Sequence, residues 1–236
     1  MFERPHHRRI ARVLATLDAK RLRAAQCLFG GGTAMALRYG EYRESVDIDF
    51  LVSDAAGYRE LRHLLTGESG FTGLCRAGGE EIAQARDIRA DQYGIRTLLR
   101  VDELPIKFEI VLEGRIVLAS PGPQDVVCGV ATLTSLDFAA SKLLANADRW
   151  ADDGVFNRDL IDLAMLGLTR PALRKAMAKA EEAYGAAISR DLERAIDRLQ
   201  DRPGWLERCM QALAMGMPKA VLWSKVRSLR RGCALA

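Results

Sequence analysis

Apolar residues recur at helical spacing near the start of the chain, at strand spacing in two short tracts, and at helical spacing again from Leu133 onward. In residues 7–24, Ile10, Val13, Leu14 and Leu17 fall on one stripe, which predicts a single amphipathic helix. It ends before a strand-like "CLFG" and a run of glycines. The following "TAMALRYG" meets no breaker until Gly40 and predicts a short helix with Thr33 at or near its N-cap. "SVDIDFLVS" then alternates by two, with Val46, Ile48 and Phe50 on one face and Asp47 and Asp49 on the other. Residues 55–66 read as helix, and residues 70–101 as turns and short strands. "LPIKFEIVLE" alternates again, Ile106, Phe108 and Ile110 against Lys107, Glu109 and Val111. The helical tract beyond Leu133 is interrupted near "DDGVFN", at "TRP" and at "DRPG". The pattern therefore predicts an α/β amino-terminal half followed by a helical carboxy-terminal half, without internal repeats.

Composition sharpens this by subtraction. The chain has 236 residues, 49% apolar and 28% charged, which suits one large or two small globular domains. No apolar run approaches the ~18 residues of a spanning helix, and the basic amino terminus has no apolar stretch leading to a cleavage site. A cytoplasmic location without a membrane partner is the expectation. Cys27, Cys75, Cys128, Cys209 and Cys233 are widely spaced and form no CxxC pair, which fits reduced thiols better than a disulfide framework or a structural zinc site. His6, His7 and His63 are the only histidines, so triads and zinc catalysis have little to work with. Chemistry must then run on carboxylates, lysines, hydroxyls and backbone. The net charge of +4 is uneven, with 14 Lys or Arg against 7 Asp or Glu in residues 170–236. The final stretch carries Lys219, Lys225, Arg227, Arg230 and Arg231 around Trp223 without an acid, either a footprint for nucleic-acid phosphates or a solvated helix face.

The candidate chemistry is concentrated in "FGGGTAMALRYGEYRESVDIDF". A glycine loop that opens a helix offers unobstructed N–H groups and the positive end of the helix dipole to a phosphate chain. Two carboxylates one residue apart on a strand face can hold divalent cations, and two such ions roughly 3.5–4 Å apart would clamp an in-line phosphoryl displacement. Glu109 is in phase to add a third carboxylate and to serve as base for an attacking hydroxyl. A glycine pair alone is usually a turn, and Asp47 with Asp49 alone could be a solvated strand face. In combination, however, no core-packing requirement explains them. The loop is neither a Walker A motif, lacking the closing lysine and hydroxyl, nor a GxGxxG fingerprint.

Gly31, Gly32 and Thr33 followed by Asp47 and Asp49, with Glu109 further on, resemble the signature of the DNA-polymerase-β-like nucleotidyltransferase superfamily. "GGTAMALRYGEYRESVDIDF" resembles in particular the AbiEii-type abortive-infection toxins, with Arg43 and Ser45 at matching positions. The later Lys107 and Glu109 resemble that family's lysine-plus-acid strand, and "LDFAASKLLANADRWADDGVFNRDLIDL" resembles its helical half, with Asp137, Lys142, Arg149, Arg158, Asp159 and Asp162 at motif positions. The likeness spans residues 29 to about 165, and no family signature is visible in residues 170–236.

The resemblance implies an α+β fold: a nucleotidyltransferase core of mixed sheet with flanking helices over residues 1–130, then a helical domain over residues 131–236. It implies transfer of a nucleoside monophosphate from an NTP to a hydroxyl. Magnesium, with manganese as the alternative, would be held by Asp47, Asp49 and Glu109. Gly31, Gly32 and Thr33 would hold the β and γ phosphates, flanked by Arg43 and Ser45. Lys107 or Lys142 would offset charge on the leaving pyrophosphate. Lys142 and Asp159 would form a second catalytic cluster across the cleft, with Arg158 and Asp162 assisting in nucleotide binding, although by spacing alone Arg158, Asp159 and Asp162 equally suit helix capping or salt bridges. The acceptor implied is RNA, tRNA 3′ ends in particular, in a toxin–antitoxin or abortive-infection system with a cognate antitoxin. Two other readings stay open: a nucleotidyltransferase for small molecules of the aminoglycoside kind, and a non-catalytic nucleotide- or RNA-binding regulator.

Overall fold

A computed structural model describes residues 2–233, except for the side chains of residues 231–233, so those of Arg231 and Cys233 lie outside the described residues. Two compact units result, one from residues up to Glu41 with Ser45–Thr134, the other from Tyr42–Glu44 with residues from Ser135 on. The fold is α+β.

The first unit opens with α1 (Pro5–Thr16) and α2 (Ala19–Ala24) where one helix is predicted. The break has a local cause: Leu17 is extended, and the Asp18 carboxylate accepts from Lys20 N and Arg21 N, both at 3.0 Å, capping a new helix. The chain continues through β1 (Cys27–Phe29), α3 (Gly31–Arg38), β2 (Ile48–Val52) and α4 (Ala55–Thr66), the last capped by Asp54 accepting from Gly57 N. It then forms β3 (Ala83–Ala90), β4 (Gly94–Val101) and β5 (Leu104–Leu112), followed by the two-residue strands β6 (Val126–Val127) and β7 (Val130–Ala131). Residues 70–101 hold two eight-residue strands rather than short ones. The edge strand β3 hides this in sequence, because Arg86, Asp87 and Arg89 are exposed and leave it little apolar alternation.

The main sheet has the order β1-β2-β5-β4-β3. Only the β2–β5 pairing is parallel; the others are antiparallel. β4 and β5 are joined by Asp102–Glu103, both at positive φ, as a two-residue hairpin turn requires. Phe29, Phe50, Phe108 and Phe71 form a chain of ring contacts on one side, with centroids 5.4, 5.6 and 5.2 Å apart. Ile48, Phe50, Ile106, Phe108 and Ile110 are buried as the alternation predicts, but Val46 precedes β2 and is exposed.

The second unit contains α5 (Ser135–Arg149), α6 (Arg158–Met165), α7 (Arg170–Tyr184), α8 (Ala187–Asp201), α9 (Trp205–Ala212) and α10 (Lys219–Cys233). Thr169 caps α7 by accepting from Ala172 N. α10 packs on α6, α7 and α8 through buried Leu222, Val226 and Leu229. Its Lys219 pairs with Glu207 and its Arg230 with Asp197, so part of the basic tail is committed to structure. No helix among the described residues is long and apolar enough to cross a membrane.

Phe50→Ala removes the middle of the aromatic chain and should lower the unfolding free energy by about 3–5 kcal/mol, measured from urea melts with an unchanged m-value.

Candidate active site

β2 and β5 pair in a register that sets Asp49 opposite Glu109. Partners in register point to the same side of a sheet, so both carboxylates stand on the face opposite the aromatic chain. Glu109 is also opposite Arg96 of β4, which extends that face by a cation.

The glycine loop closes on the same place. Gly30 N donates to Asp49 O at 2.8 Å, and Gly30 is the residue before the first turn of α3. Gly31 has a φ of +65°, and a Cβ there would lie 2.6 Å from Asp49 Oδ2. Glycine is thus required both for the turn and for the approach of backbone to carboxylate. Gly30 occupies the capping position, and Thr33 follows three residues later, near the cap as the sequence predicts. It lies inside the first turn and donates from Oγ1 to Ser45 Oγ at 2.8 Å. The first-turn N–H groups of Gly31, Gly32 and Thr33 have no intrahelical acceptor, which leaves donors beside Asp49.

Glu109 is 9% exposed and held by two cations. Lys107 Nζ lies 2.6 Å from its Oε2, and Arg96 Nε lies 2.6 Å from its Oε1. The hydrogen bond to Glu109 chiefly raises the Lys107 pKa, and the charges of Asp49 and Asp47 add to it against partial burial. Asp47, immediately before β2, is therefore within electrostatic reach of the same lysine. Among the described residues no three His, Cys, Asp or Glu side chains converge as a metal-ligand group. The hard oxygen donors of Asp47 and Asp49 still suit a magnesium-type cation, and the space left by the absent Gly31 side chain keeps Asp49 approachable.

Arg96 and His7 are the residues that sequence reasoning missed. Reading residues 94–101 as a strand of the β4–β5 hairpin would have placed Arg96 opposite Glu109. His7 is buried, with Nδ1 2.7 Å from Glu41 Oε1, and its Nε2 accepts from Ser45 N at 3.3 Å. It thus fixes the residue that holds Thr33. No local sequence signal links positions so far apart.

Arg43, Lys142, Asp159 and Asp162 form a separate buried cluster within the helical unit. Asp162, fully buried, accepts from Arg43 Nε at 2.6 Å, Arg43 Nη2 at 2.8 Å and Tyr42 OH at 2.6 Å. Lys142 Nζ bridges Asp162 at 2.6 Å and Asp159 at 3.1 Å, and Arg149 adds two bonds to Asp159 at 2.6 and 3.0 Å. Burial alone would raise the Asp162 pKa, but Arg43 and Lys142 outweigh it and hold the carboxyl far below its usual range. Arg158, at the start of α6, is only half-buried, while Asp137 pairs with Lys179.

The first unit is thus a mixed sheet with a glycine-opened helix set against a strand carboxylate. Two Helicobacter pylori crystal structures share that fold. JHP933 is 15% identical with a TM-score of 0.53, over 99% of this chain and 93% of that one. A second, described provisionally as a nucleotidyltransferase, is 16% identical with a TM-score of 0.50, over 96% and 92%. No curated protein matches the chain. The family model for the nucleotidyl transferase AbiEii toxin of type IV toxin–antitoxin systems matches residues 12–224, and the chain belongs to that family. The match runs well beyond residue 165, into helices where the sequence offers no visible signature.

Asp162→Ala leaves Arg43, Lys142 and Tyr42 without their shared acceptor and should cost about 3–5 kcal/mol of stability. Because the folded-state pKa is depressed, the carboxylate's contribution is complete above the unfolded value of about 3.9 and drains away as pH falls through the folded value. The gap in urea midpoint between wild type and Asp162→Asn should accordingly be constant from pH 5 to 7, within the window set by those values, and narrow below about pH 4.

Proposed function

We propose that the face formed by Asp47, Asp49, Glu109 and the Gly31–Thr33 loop transfers a nucleoside monophosphate from an NTP to an RNA hydroxyl, with a tRNA 3′ end as the favoured acceptor. The observation that carries this reading is the register of Asp49 against Glu109 with Gly31 backed onto Asp49. The amides of Gly31, Gly32 and Thr33 receive the triphosphate, and Ser45, fixed through His7, keeps Thr33 in place. A magnesium or manganese ion held by Asp47 and Asp49, with Glu109 beside them, would supply charge neutralisation and polarisation of the phosphate.

In the transfer, the acceptor oxygen forms a bond to the α-phosphorus while the bond to the bridging oxygen breaks, and pyrophosphate leaves with those electrons. The hydroxyl proton passes to a carboxylate of the site, Glu109 being the one in phase to accept it. Lys107 is placed to offset the charge that develops on the leaving group. Arg43, Lys142, Asp159 and Asp162 spend their bonding capacity on one another, which supports a positioning role for that cluster. A cognate antitoxin is the partner expected for a type IV toxin.

The test is incubation with magnesium, total tRNA and each α-phosphate-labelled NTP in turn. Wild type should label tRNA with at least one nucleotide, and Asp47→Asn should reduce the rate by about 100-fold or more with an unchanged melting temperature. Equal labelling by both proteins, or none with any NTP, would refute the assignment.

A further inference from the structure

Beside Glu109 the sheet opens into a groove of about 660 Å³. It runs along the end of β5 and the β3–β4 turn, and its walls include Tyr93, Arg96, Glu109, Glu113 and Arg115. Arg96 and Glu109 are shared with the site described above, whereas Tyr93, Glu113 and Arg115 have no part in it.

Three observations define what it would accept. Tyr93 is 66% exposed, yet its backbone is fixed on both sides: its N–H donates to Asp91 Oδ1 at 2.7 Å, and its carbonyl accepts from Leu112 N at 2.9 Å. An aromatic ring on a pinned turn is a platform, and a large exposed ring gains free energy when a flat partner covers it. Each carboxylate in the groove is already matched by an arginine of the groove. Arg96 binds Glu109 through Nε at 2.6 Å and Asp91 of the β3–β4 turn through Nη1 at 3.1 Å, and Arg115 binds Glu113 through Nε at 2.9 Å and Nη2 at 2.7 Å. The walls therefore offer no spare negative charge to a polycationic sugar, and instead present two partly exposed guanidinium planes and a phenol ring. Finally, Tyr93 is bonded to Leu112, three residues along β5 from Glu109, about 10 Å at the usual strand rise. Platform and carboxylate therefore lie along one stretch of β5.

We propose that this groove is the acceptor subsite for the single-stranded 3′ end of an RNA, with the terminal base stacked on Tyr93 and the adjoining phosphates at Arg96 and Arg115. Aromatic stacking tolerates any base, and unpaired ends are the part of an RNA whose bases are free to stack. The proposal rests on the RNA-acceptor reading above and assigns that acceptor its place.

The test uses a short single-stranded RNA with a fluorophore at its 5′ end and 4-thiouridine at its 3′ terminus. By anisotropy, Tyr93→Ala should weaken binding by about tenfold and Tyr93→Phe by less than twofold, with melting temperatures unchanged. Arg115→Gln should reduce the salt dependence of binding. Irradiation should crosslink the terminal base to the peptide containing Tyr93. Wild-type affinity in Tyr93→Ala, or crosslinks confined to α10, would overturn the groove as the subsite. If that happens while wild type still labels tRNA, the nucleotidyltransferase reading stands and only the groove is lost. Failure of wild type to bind the RNA at all would overturn the groove together with the RNA acceptor.

Discussion

The parallel pairing of β2 with β5 is the contact on which the candidate site depends. It sets Asp49 against Glu109 on one face while burying Phe50 and Phe108 on the other. A slip of one residue would turn the carboxylates into the aromatic layer and the phenylalanines into water, so the core enforces the register that the chemistry needs. Everything else at the site is referred to that pair. Gly30 and Gly31 bring the loop onto Asp49, β4 adds Arg96 opposite Glu109, and Lys107 reaches the same carboxylate from its own strand.

The helical unit solves a different electrostatic problem. Asp159 and Asp162 are buried carboxylates, and burying them would be prohibitive without Lys142, Arg43 and Arg149 at hydrogen-bond distance. Such a network adds less to stability than its bonds suggest, because each ion has given up its hydration; its stronger effect is to penalise any arrangement that leaves one member alone. Residues 42–44 belong to this unit although the chain on either side belongs to the other. Arg43 is therefore held by Asp162 within this unit, four positions before Asp47 in the chain.

Much of this was legible in the chain, for physical reasons that can be named. Alternation by two survives in β2 and β5 because one face of each is wholly apolar, and that put Asp49 and Glu109 in phase. The glycine run showed because Gly31 combines a positive φ with an approach to Asp49 that leaves no room for a side chain. What was hidden depended on partners far away in sequence. Asp18 broke a convincing helical stripe by capping, β3 concealed itself with arginines at a sheet edge, and His7 gained its role only by meeting Ser45. The resemblance implied Arg43 as a neighbour of the triphosphate, and its bonds to Asp162 depend on a partner 119 residues away that no local pattern shows. Helices after residue 170 follow an apolar period common to any bundle, so their family membership could not be seen in single residues.

The most direct measurement is a calorimetric titration of a non-hydrolysable NTP analogue into the protein, with magnesium and with chelator, repeated on the Asp47→Asn, Asp49→Asn double variant. The account predicts a one-to-one binding heat that requires magnesium and disappears in the double variant while the protein remains folded. Binding of equal affinity without the cation, or in the double variant, would contradict it.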